Sequence, residues 1–134
     1  MACEKENLYL SSEKRMQGKW SYERVTFQKD FTIDKNNNTS EFSDLTIDFR
    51  SNGSIEQTDR NSNLIAIGEW DMRRLYFNDG ANDNISRYIR GHLTDVSSGQ
   101  RSRVEWRNLQ VNRKRMLFTE RKNGGIYRFR LRRQ

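Results

Sequence analysis

Apolar and polar residues alternate along most of this chain, in short runs separated by turn-forming clusters. Strict alternation puts successive side chains on opposite faces of a strand, so it predicts half-buried β-strands. Trp20, Tyr22, Val25 and Phe27 mark a first strand over 19–28. Their parity switches between Tyr22 and Val25, which predicts a bulge. Leu45, Ile47 and Phe49 alternate with Thr46, Asp48 and Arg50. Asn52-Gly53 follows, a hairpin signal in which both central residues take positive φ. Its partner strand runs from Ile55 to about Thr58. Asp59–Asn63 reads as a polar loop, after which Leu64, Ala66, Gly68 and Trp70 share a face. Asp71–Arg74 is expected to turn the chain into another strand at Leu75–Asn78. Asp79-Gly80 and Asn82–Asn84 form the next turn cluster. Ile85–Leu93 is a strand, and Val104 and Trp106 mark the one after it, with Leu109 a candidate for the same strand. Met116, Phe118 and Glu120 alternate next. Ser97–Gln100 and Asn112–Lys114 are the breaks between these strands. Asn123-Gly124-Gly125 closes a last hairpin, where Tyr127, Phe129 and Leu131 alternate with Arg128, Arg130 and Arg132.

Eight or nine short strands with mostly hairpin-like connections predict an all-β fold, a single antiparallel up-and-down barrel that leaves no free sheet edge. No segment holds a helical period over 12 residues, although Glu13–Gln17 is expected to form one helical turn. Gly18-Lys19-Trp20 and Gly68-Glu69-Trp70 each begin an alternating run. A glycine just before a strand tryptophan marks a bend or a close backbone approach, and the indole supplies a large apolar plug. With 134 residues, one domain is expected, at 16–134 behind a flexible tail at 1–15. Hydrophobic content of 33% and charged content of 32% lean toward disorder,. The 11% aromatic content and the clean alternation oppose it. The absence of proline suits long ladders,.

These motifs, in this order, resemble the bacterial lipocalin-like domains found among lipoproteins of the Bacteroidetes. The match is carried by Gly18-Lys19-Trp20, Leu45–Phe49 with Ser51-Asn52-Gly53, Gly68-Glu69-Trp70, Arg74–Phe77 and Tyr127–Arg130, across most of 16–133. The resemblance implies a lipocalin/calycin-like barrel that binds a small apolar or amphipathic ligand inside. Candidate interior residues are Trp20, Phe49, Trp70, Phe77, Arg87, Trp106, Phe118 and Phe129. Fatty-acid-binding proteins have a similar Gly-x-Trp start, but they place two helices after the first strand, and residues 29–43 carry no helical pattern. That long connection, Lys29 to Ser43, holds Phe31, Ile33 and Phe42, which are lid candidates over an open barrel end. Cys3 sits in a charged tail and resembles the lipid-bearing cysteine of a mature lipoprotein. An extracytoplasmic location with a membrane tether through Cys3 is therefore expected.

Charge changes the picture at one end of the chain. Residues 101–134 hold twelve Lys/Arg and two acids, a balance of +10, which leaves −3 for residues 1–100. Arg103, Arg107, Arg128, Arg130 and Arg132 would form a basic outer patch of a kind that meets lipid headgroups, polysaccharide or nucleic acid. Nucleic acid is disfavoured, because the aromatics of these strands take the opposite, inward parity. One arginine is expected to cover Trp20 or Trp106 as a cation–π partner. If Ile85 and Ile89 face inward, Arg87 does too and needs an anionic partner; the alternative is that Tyr88 faces inward. Asp34–Asn38 resembles the start of a calcium loop, but Thr39 and Leu45 stand where glycine and glutamate are required. With one histidine, His92, and one cysteine, no nucleophile–base set can be proposed. The expectation is a binding protein, not an enzyme, with no metal and no cofactor.

Overall fold

The computed structural model describes residues 14–78 and 83–134, with the side chains of 76–78 and 83–85 left out. Among the described residues nine strands form: β1 (Gly18–Lys29), β2 (Lys35–Asn37), β3 (Thr46–Phe49), β4 (Ser54–Thr58), β5 (Leu64–Asn78), β6 (Asp83–Asp95), β7 (Arg101–Val111), β8 (Arg115–Lys122) and β9 (Gly125–Arg133). From β3 to β9 each strand pairs antiparallel with the next, and β1 pairs with both β3 and β9. β1 and β3–β9 therefore close an eight-stranded up-and-down barrel, as the alternation predicts. The short β2 lies beside the second half of β1, while β3 takes the first half. Between them this edge of β1 lacks a strand partner, and Val25 bonds on that side to the connection. Its N–H donates to Thr39 Oγ1 at 3.0 Å and its carbonyl accepts from Asn38 N at 2.9 Å.

Several local expectations hold. The β1–β9 register shifts between Tyr22 and Arg24, where the parity switch predicts a bulge. Asn123 and Gly124 both take positive φ, 56° and 72°, the two-residue hairpin their sequence suggests,. Three expectations are corrected. Asp71–Arg74 is no turn: β5 runs unbroken for 15 residues, with Met72 buried on the same face as Trp70 and the ladder to β6 continuous through it. At Asn52-Gly53 only Gly53 takes positive φ, 86°. Arg50 exchanges bonds with Gly53 and Ser54 around a three-residue loop, so glycine alone fills the left-handed position,. The 29–43 connection is partly ordered, with β2 and a single helical turn, Thr39–Phe42.

One barrel end is solid. Trp20, Met16, Ile47, Phe49, Ile55, Met116 and Leu131 are fully buried there. Residues 14–16 make the expected helical turn, and the Trp20 indole N–H donates to the Met16 carbonyl at 2.7 Å. Arg133 covers Trp20, its guanidinium 4.3 Å from the ring centre. The same guanidinium donates to the carbonyls of Arg113 and Gln17, both at 2.8 Å, and to that of Arg15. Gly18 has φ 115° and lies beneath this guanidinium. The glycine before Trp20 thus makes the sharp entry into β1. Gly68 plays a different part. It and Gly91 sit where β5 and β6 approach most closely, and a Cβ on either would run into the carbonyl oxygen of His92 or Glu69 respectively.

Candidate ligand chamber

Strand direction sorts the loops by end. β1, β4, β6 and β8 run away from the Trp20 plug, so the 30–45, 59–63, 96–100 and 123–124 connections all lie at the opposite end. There the barrel is hollow, with a chamber of about 400 Å³. That volume falls in the range of small-molecule sites. Its apolar wall comes from Phe42, Leu45, Ile65, Ala66, Leu93, Val104, Trp106, Phe118 and Phe129. Tyr22, Gln57, Glu120 and, nearer the rim, Asp95, Ser98, Gln100, Ser102, Arg103 and Lys122 add polar groups.

An aromatic column joins the chamber to the plug. Phe42 meets Tyr22 and Phe129 at centroid distances of 5.3 and 5.6 Å. Phe129 stacks on Phe118 at 4.9 Å, and Phe118 lies 4.9 Å from Trp106. Trp106 then touches Phe49, which touches Trp70 edge-on at 5.6 Å. Such contacts hold rings in fixed orientations beyond what area burial provides. Phe42 reaches the column because the helical turn bridges the gap in the β1 ladder.

Two polar features interrupt the apolar wall. The Gln57 amide donates to the Tyr22 hydroxyl at 3.1 Å. Glu120 is 7% exposed, and its carboxylate pairs with Lys122 Nζ at 3.0 Å. A carboxylate this buried needs such a partner to offset its lost hydration. Glu120 faces in by simple parity with Met116 and Phe118. The β7–β8 ladder runs from Arg107↔Thr119 to Val111↔Met116, across a bulge at Asn108, whose φ is 56°. Toward the mouth the two strands stand apart, so Arg103, Glu120 and Lys122 also line a groove on the outside.

Burial holds the Tyr22 hydroxyl above its ordinary value of 10; the Gln57 bond opposes this and the Glu120 carboxylate adds to it. The unfolded chain ionises this tyrosine near pH 10 while the folded chain keeps it protonated. Its stabilising effect is therefore complete below pH 10 and is lost as pH rises above it. Tyr22→Phe is expected to show a shallower alkaline loss of stability, by up to about 1.4 kcal/mol per pH unit. Urea midpoints at pH 8 and pH 11 measure this, and equal losses in both proteins would refute it.

The structure separates the interior candidates. Trp106, Phe118 and Phe129 line the chamber, whereas Trp20, Phe49 and Trp70 are packed below it. Phe77 lies on β5, but its side chain is outside the described residues, and so is Cys3. Arg87 is half-buried on the Ile89 face of β6, opposite Arg74, and does not line the chamber. Its Nε is buried without a hydrogen-bond partner. Tyr88 points the other way, under the Arg107 guanidinium at 5.2 Å. Of the lid candidates, Phe42 reaches the chamber, while Phe31 and Ile33 stand in solvent.

In the basic patch, Arg128 and Arg132 are exposed on the outer face of β9, and Arg130 between them lies 3.5 Å from Glu23. Arg107 pairs with Glu105 at 3.1 Å, and exposed Arg103 stands at the chamber rim. The sequence reading did not single out Tyr22, Gln57 or Lys122 as site residues, nor Glu120. An acid on the inward parity of β8 was the visible signal. The chain matches no protein-family model, no curated protein and no solved structure.

Proposed function

We propose that this barrel is a non-catalytic carrier or sequestering protein that holds a small apolar or amphipathic molecule in its mouth chamber. The observation that carries this reading is the hollow end itself, walled by Phe42, Trp106, Phe118 and Phe129 above a solid core. A ligand body would displace water from the half-buried Phe42, Leu45, Ile65 and Leu93, beside Trp106, Phe118 and Phe129, which are already almost fully buried,. Tyr22, Gln57 and Glu120 would orient its polar end. Arg87, below the chamber, has no part in this reading.

Filling the chamber tests it. Val104 lines the cavity and is small. Val104→Trp is expected to weaken binding of an apolar fluorescent dye by about tenfold or more, because the ligand loses its space. The variant should still unfold cooperatively. Unchanged dye affinity would sink the reading, as would failure of the native protein to bind any of a panel of fatty acids and dyes.

A second reading places function on the outside, where Arg128 and Arg132 stand exposed on β9 and would attract lipid headgroups, polysaccharide or another polyanion. The two readings separate cleanly, since binding to the outer face would survive Val104→Trp. The family resemblance and Cys3 support placing either activity outside the cytoplasm, in a lipid-tethered bacterial protein.

A further inference from the structure

Among the described residues, most of the bulky apolar side chains left in water gather at the chamber mouth. Phe31 is fully exposed and Ile33 is 92% exposed, both in the loop after β1. Leu64 and Val96 are exposed on another part of the rim, joined by the bond from Val96 N to the Ile65 carbonyl. Scattered exposed apolar residues are ordinary, but two nearly bare ones on one loop tip are not.

The tip is built to present them. Thr32 bonds back to the Lys29 carbonyl through both its N–H, at 3.3 Å, and its hydroxyl, at 2.7 Å. The Gln28 amide donates to the Thr32 carbonyl at 2.8 Å. Asp30 accepts two bonds from Arg121, at 2.8 and 3.0 Å, which ties the loop to β8. Between these ties Phe31 adopts φ 64°, a left-handed conformation that is uncommon for a bulky residue,. In this conformation the ring stands in solvent, off the barrel.

The surroundings are basic. Lys29 and Lys35 flank the tip and are exposed, and Arg121, Lys122 and Arg128 stand on the neighbouring strands. Asp30 and Asp34 are the acids of the loop, and Asp30 is already engaged by Arg121. An apolar tip inside a basic collar matches the two layers of an anionic bilayer surface: acyl chains below, charged headgroups above.

We propose that the mouth end docks on an anionic phospholipid bilayer, with Phe31 and Ile33 entering the headgroup–acyl boundary and Lys29 and Lys35 meeting lipid phosphates. This orientation sets the chamber mouth against the membrane. The docking rests on the loop and its collar and holds whether or not the chamber is occupied.

Co-sedimentation of the full chain with phosphatidylcholine vesicles containing about 30% phosphatidylglycerol tests it. The expected result is binding that weakens with added salt and is much lower on pure phosphatidylcholine. Phe31→Ser with Ile33→Ser should reduce the anionic-vesicle affinity about tenfold or more. Both positions are solvent-exposed, so the melting transition should be unchanged and a folding defect is readily seen. Three results overturn the proposal. One is wild-type protein that ignores anionic vesicles. Another is a double variant that binds them as wild type does, whether or not Arg128→Ser combined with Arg130→Ser and Arg132→Ser abolishes binding. The third is a double variant that keeps vesicle binding but loses dye binding without vesicles, which would make the loop a lid.

Discussion

Trp20→Ala is expected to destabilise the fold by about 3–5 kcal/mol, the usual cost of truncating a large buried aromatic side chain. Trp20 is fully buried, and its indole N–H holds the Met16 carbonyl. Removing it opens a cavity beneath the Arg133 guanidinium and leaves that carbonyl without its donor. The cavity cannot easily collapse, because Arg133 is fixed by three carbonyls of its own. For a domain of this size such a loss approaches the whole of its stability. Chemical denaturation followed by circular dichroism gives the number. A change below about 1 kcal/mol would mean that the Trp20 end is not the packed end of the barrel.

The second large effect is at a residue with no side chain. Gly91→Ala would drive a methyl group into the Glu69 carbonyl, a backbone atom that no rotamer change can move aside. Gly91 pairs with Trp70, so relief requires β5 and β6 to separate at the centre of the sheet. Overpacking commonly costs about 1–3 kcal/mol, and backbone collisions lie at the upper end or beyond. Gly99→Ala is the matched control. Its added methyl meets open space, and the cost comes only from its φ of 73°. Equal melting temperatures for the two variants would contradict the close approach.

Much of this fold can be read from side-chain parity. The inward residues of β1, β3, β8 and β9 follow the alternation, and the bulge after Tyr22 shows as a change of phase. Asn123-Gly124 specifies its own turn. Parity fails where the neighbouring strand decides the matter. Asp71–Arg74 is polar enough to suggest a turn, yet β6 supplies ladder partners throughout. Parity also assigns a face without assigning a height. It sends Trp20, Phe49, Trp70, Trp106, Phe118 and Phe129 to the same interior, and only strand direction separates plug from chamber. Phe31, Ile33 and Phe42 share one polar connection, and their sequence does not reveal that Phe42 alone packs inward. Thr39 decides it, by filling the vacant bonds of Val25.

The β1–β9 seam has a consequence for chain entropy. The pairings from β3 through β9 each join strands separated by at most five residues of sequence. β1–β9 joins Lys29 to Gly125 and Trp20 to Arg133, residues on the order of a hundred positions apart,. The longest loop closure among the described strands is thus made at this one seam. Without that seam the same hairpins form an open, curling ribbon whose two end strands are unpaired on one side. Arg133 and Trp20 face each other across it. The arginine that covers the tryptophan is therefore also the latch that turns a ribbon into a closed vessel.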